Sequence, residues 1–215
     1  MRLKTCFIML SLVFPMVFLS SDLSKPVSDA EFFWYNIRDC FNVFDPLVVN
    51  LTDRVLNNSD GFLTFDDVYM VQSFIHYHFS YNFSKEVKHP GDTIISGCGD
   101  CLDLSILEYC MLEYDNRFSH GRVFVMIVDV GKDVFHSCVF LWLSNKFFIS
   151  DPLYFDVDMK GIFRPCNNIS LKMGEIESKL GFSRFDVLGL FSQDDFYVFN
   201  SDDEFVKWCS GLKTL

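Results

Sequence analysis

The chain has 215 residues, 50% of them hydrophobic, 17% aromatic and 22% charged, with 26 Phe. So much apolar surface excludes a disordered chain, because its burial offsets the entropy of ordering. A formal net charge of −11 excludes a nucleic-acid partner and a polybasic membrane surface, both of which need a Lys/Arg face.

Arg2 and Lys4 precede an apolar run from Cys6 to Leu19, and Ser20, Ser21 and Asp22 follow it. This is the layout of a secretory signal. The run is short of the ~20 residues a spanning helix needs, and Pro15 interrupts it. Residues 1–21 are therefore read as a signal peptide or an uncleaved anchor, and residues 22–215 as one domain, secreted or held at the cell surface. Sequons at Asn50, Asn57, Asn82 and Asn168 agree with export. Loss of the signal takes Cys6 and leaves seven Cys, an odd number that points to one thiol kept free. The other six are either disulfide-paired or buried as small hydrophobes.

Ser28 and Glu31 form a capping box for a first helix carrying Phe32, Phe33 and Ile37. Asp45 and Pro46 start a second, with Leu47, Val48, Leu51 and Val55. Gly61 breaks the chain, and Thr64 caps a third helix carrying Val68, Val71, Phe74, Ile75 and His78. The Lys, His, Pro and Gly of residues 85–99 read as a long loop. A fourth helix starts beside Cys101 and runs to about Tyr114, with Leu104, Leu107, Cys110 and Met111 inward. The period then becomes extended: strands at Arg122–Val130, Val134–Leu143 and Phe147–Ser150 are joined by short turns at 131–133 and 144–146, an antiparallel meander. A strand near Phe196–Phe199 and a helix capped by Ser201 and Glu204 complete the acidic tail. Helices first and an antiparallel sheet later make the class α+β.

Three positions combine into chemistry. Cys101 stands at a helix start, where unpaired N–H groups and the helix dipole favour a thiolate. His136 lies near the start of the second meander strand and Asp151 closes the third, so one hairpin places them side by side. A base and its orienting carboxylate facing a Cys on a helix end is the arrangement of an activated thiol nucleophile.

Gly99-Asp-Cys101-Leu-Asp103-Leu-Ser-Ile-Leu107 resembles the Cys helix of the transglutaminase-like superfamily, relatives of papain in core arrangement. His136-Ser-Cys-Val-Phe-Leu-Trp142 resembles its His strand, and Phe147-Phe-Ile-Ser-Asp151-Pro152 its Asp strand. The order and the spacing, 35 positions and then 15, also match. The resemblance covers about residues 65–155 and leaves 156–215 as an acidic, Phe-rich extension. It implies a papain/transglutaminase-like core with the nucleophile helix packed on the sheet. It implies that Cys101 is the nucleophile, His136 the base and then acid, and Asp151 the orienter, with no cofactor or metal. The substrate would be a protein or peptide amide, cleaved or transferred through a Cys thioester. Ser137 departs from the aliphatic or Ala residue common after the His, and the backbone N–H of Cys101 is the one oxyanion donor that can be named.

Other readings compete. Cys98-Gly-Asp-Cys101 is a CxxC at a helix start, as in a thiol-disulfide oxidoreductase. Cys98, Cys101, His136 and Cys138 have the donor types of a zinc site. A catalytically silent interaction domain would share the fold. His76, His78, His89 and His120 have no comparable company and read as loop or helix-surface residues.

Overall fold

The computed structural model describes residues 33–83, 86–132, 134–154 and 163–212. The proposed signal or anchor and the Ser28–Glu31 cap lie outside these residues. Residues 33–37 are helical and lead into a 3-10 turn at Arg38–Cys40. Asp45 caps α1 (Pro46–Val55), its Oδ1 accepting from the Leu47 N–H at 2.8 Å. Pro46 takes the first helical position, where a missing N–H costs nothing. Thr64 caps α2 (Phe65–His78) in a reciprocal box with Asp67, whose Oδ2 accepts from the Thr64 N–H at 2.8 Å. Val68, Val71 and Ile75 form its buried stripe. Phe74 stays half-buried and stacks on His78.

Residues 86–99 are not the long loop that the composition of 85–99 predicts. β1 (Ser80–Tyr81) pairs in parallel with β2 (Cys98–Gly99), and α3 (Pro90–Ser96) lies between them. The helix was masked by its own punctuation: Pro90 opens it, and Gly97 closes it in the left-handed conformation at φ 62°.

α4 (Cys101–Asp115) is the central helix. Every residue from Leu102 to Leu112 is buried, so the expectation of one inward face was too narrow. A helix covered on all sides carries no single apolar stripe. It packs on an antiparallel sheet of β3 (Arg122–Gly131), β4 (Val134–Leu143), β5 (Lys146–Ser150), β6 (Asp186–Phe191) and β7 (Phe196–Val198), in the order β5-β4-β3-β6-β7. Ser144 and Asn145 turn β4 into β5 with φ of 50° and 62°. Two left-handed residues match the twist of the flanking strands and pin the pairing, which runs from Leu143↔Lys146 to Val139↔Ser150.

The tail supplies more than the sequence reading placed there. α5 (Ile169–Leu180), capped by Asn168, and β6 join the expected β7 and α6 (Asp202–Leu212). Trp208 and Phe205 of α6 pack on Phe140 of β4, and Trp208 also meets Phe124 of β3. The outer edge of β5 is sealed where Phe147 and Cys166 exchange backbone hydrogen bonds of 2.9 and 2.8 Å. The architecture is the α+β class expected, with the helix that begins at Cys101 packed on the sheet.

Candidate active site

The position of Cys101 follows from its cap. Asp100 is extended, and its Oδ1 accepts from the N–H groups of Leu102 and Asp103, both at 3.0 Å. Asp103 returns Oδ2 to the Asp100 N–H at 3.2 Å, and the Leu104 N–H bonds the Asp100 carbonyl at 3.0 Å. These bonds engage the N–H groups of residues 102, 103 and 104 and leave that of Cys101 out of the cap. The Cys101 side of the turn is partly exposed. A Cβ on Gly99 would lie 2.6 Å from the Asp103 Cβ, so glycine is what lets β2 run so close to this first turn. Burial pushes the Asp103 carboxyl up, against the pull of the Lys88 and Asp100 N–H groups and the Lys88 charge.

His136 and Asp151 meet as the hairpin predicts. Nε2 of the imidazole is 2.6 Å from Asp151 Oδ2, with both residues almost fully enclosed. Asp151 stands one residue past the last ladder pair of β5 and turns back toward the ring. Its Oδ1 accepts from the Leu153 N–H at 3.1 Å, and its carbonyl accepts from Gln72 Nε2 at 3.1 Å. Burial pulls the imidazole down. The Asp151 charge and hydrogen bond, joined by the hydrogen bond and charge of Cys101, outweigh that and push it up to about 10. Because Nε2 is committed to Asp151, Nδ1 is the nitrogen left for the thiol. Tyr154 and Phe182 set their rings around the imidazole, at centroid distances of 5.6 and 6.2 Å.

The structure adds residues that the sequence did not single out. Glu108, fully buried on α4, accepts a short hydrogen bond from the Ser150 hydroxyl. Burial pushes its carboxyl up to about 8; the Ser150 bond opposes the rise and the Asp151 charge reinforces it. Gln72 braces Asp151 from α2. His76, partly exposed on α2, sets its Nδ1 2.6 Å from the Pro152 carbonyl.

The CxxC does not close. β2 and Asp100 are extended, and three extended residues span about 10 Å, beyond the roughly 7 Å that a disulfide tolerates. No disulfide joins Cys40, Cys98, Cys101, Cys110 or Cys138. The Cys98 thiol has partners of its own, with Lys88 Nζ at 3.8 Å and Asn82 Nδ2 at 3.9 Å. Its hydrogen bond with Ser96, then those two partners, pull it down. Cys40, Cys110 and Cys138 are core residues, and desolvation raises each thiol, that of Cys40 to about 11. Among the described residues no three His, Cys, Asp or Glu side chains gather as metal ligands, so the zinc set is not assembled.

No family model and no curated protein matches the sequence. Solved structures match it by shape. Legionella pneumophila LapG superposes with a TM-score of 0.51 at 15% identity, over 84% of this chain and 95% of that one. EGTA-treated LapG from the same organism gives 0.50 at 14% identity, over 77% and 85%. At such identities the likeness is one of fold alone.

Proposed function

We propose that this protein is a cysteine peptidase that cleaves protein or peptide amide bonds through a Cys101 thioester, with His136 and Asp151 completing the triad. The observation that carries the reading is the buried imidazole, held by Asp151 on Nε2 at 2.6 Å and partnered by the thiol of a helix start. The fold shared with LapG supports it.

The chemistry follows from the arrangement. The Cys101 sulfur attacks the amide carbon and a C–S bond forms. The Cys101 N–H, which the helix cap leaves out, faces the developing oxyanion. The His136 imidazolium passes its proton to the amine nitrogen, the C–N bond breaks, and the amine leaves a thioester behind. His136, now neutral, takes a proton from water while the oxygen attacks the thioester. The C–S bond breaks, the acid departs, and thiolate and imidazolium are restored. Asp151 holds the ring in one orientation and stabilises its charged form.

The layout of residues 1–21 supports export, as does the exposure of all four sequon asparagines. Substrates would then be extracellular. The test is to incubate the protein with a panel of peptide electrophiles and locate adducts by mass spectrometry. Unfolded protein plus a tagged primary amine then separates the outcomes: new N-termini mean hydrolysis, and amine incorporation means acyl transfer. A Cys101→Ala control should do neither. No adduct on Cys101 from any electrophile would sink the proposal.

A further inference from the structure

Glu108 lies seven residues after Cys101 on α4, two turns on and about 10 Å down the axis. Its Oε1 accepts a hydrogen bond from the hydroxyl of Ser150, the residue before Asp151, while Oε2 is buried with no hydrogen-bond partner. It thus joins the helix that carries the nucleophile to the strand end that carries the orienter. Gln72 makes the matching link from α2 to the Asp151 carbonyl.

We propose that Glu108 is a positioning residue, which through Ser150 sets where the Asp151–His136 pair stands relative to the Cys101 thiol. The proposal rests on the thiol-enzyme reading above. A carboxyl is a costly choice for a mere strut at a fully desolvated site, since an uncharged polar or apolar side chain would pack there without that penalty. What a carboxyl adds is dependence on its proton. The ionisable groups around it are Asp151 beyond β5 and the Cys138 thiol on β4, with Cys101 two turns back on its own helix. Asp151 is the one charge acting on it among the described residues. While Glu108 is neutral it bonds Ser150 without repelling Asp151. Once ionised it sets a second negative charge beside Asp151, and repulsion between the two carboxylates shifts the strand end that carries the pair. Burial, which pushes Glu108 up to about 8, places this change just above neutral pH.

The experiment is the rate of Cys101 alkylation by iodoacetamide between pH 6 and 9.5. It is read at that residue by mass spectrometry in wild type, Glu108→Gln, Glu108→Ala and His136→Ala. Circular dichroism and urea unfolding confirm that each variant is folded. In wild type the rate should fall with a midpoint near pH 8, where an ordinary thiol would become faster. Glu108→Gln should keep the neutral-pH rate within about threefold and lose the fall. Glu108→Ala should be slower by about tenfold or more at pH 7, within what a sub-ångström misplacement costs. An unchanged profile in Glu108→Gln, or a wild-type rate in folded Glu108→Ala, overturns the proposal. His136→Ala separates the two readings: if it labels as wild type does, the triad itself fails, and if it alone loses labelling, only the role of Glu108 does.

Discussion

Replacing Asp151 with Asn removes one negative charge from the buried pair and keeps its shape. An imidazole raised from 6.5 to about 10 is stabilised in its protonated form by on the order of 5 kcal/mol. Because the folded value lies above the unfolded one, this contribution is present in full below pH 6.5 and is lost as pH rises through about 10. In the variant, burial still pulls the ring down and only Cys101 opposes it, so His136 should titrate well below its wild-type value. The stability gap between the two proteins should be about 3–5 kcal/mol near pH 6.5, the cost of breaking a buried pair, and should narrow steadily toward pH 10. Urea unfolding under reducing conditions at pH 6.5, 8 and 9.5 measures the gap, and NMR titration of the ring gives an independent reading. A gap that stays constant across that range would refute the reasoning, and so would a ring titration unchanged by the substitution.

Other outcomes follow from single contacts. Gly99→Ala forces a Cβ against Asp103 and should cost about 1–3 kcal/mol by urea unfolding while slowing alkylation of Cys101. Gln72→Leu leaves the Asp151 carbonyl without its donor in a buried site, which should lower stability by about 1–3 kcal/mol. Thr64→Ala opens the α2 capping box and should cost about 1 kcal/mol without touching the alkylation rate, since that cap is on the protein surface.

The parts of the site that were legible in the sequence are those set by local chemistry. The helix start read beside Cys101 marks where α4 begins, and the Asp100–Asp103 capping box seen in the structure secures it. Ser144-Asn145 makes a two-residue turn, which fixes the β4–β5 register and so brings His136 and Asp151 together. What escaped notice depends on distant partners. Gln72 reaches Asp151 across 79 positions, and Glu108 reaches Ser150 across 42. No periodicity marks either, because α4 is buried all round and a polar residue inside it breaks no stripe. α5 was missed for another reason. Ile169, Met173, Ile176 and Leu180 do trace a helical face, but Gly174 and several charges dilute it, and no chemical motif drew attention there.

The enclosure of α4 also sorts the thiols of the protein by what can reach them. Cys101, at the first position of the helix, is partly exposed, whereas Cys110, nine residues further along, is fully buried, and Cys40 and Cys138 are also shut away. Desolvation keeps those three protonated at physiological pH, so an oxidant or electrophile arriving from outside finds them unreactive as well as out of reach. A chain with this many sulfur atoms can therefore offer a thiol at its helix start without exposing its core to the same reagents.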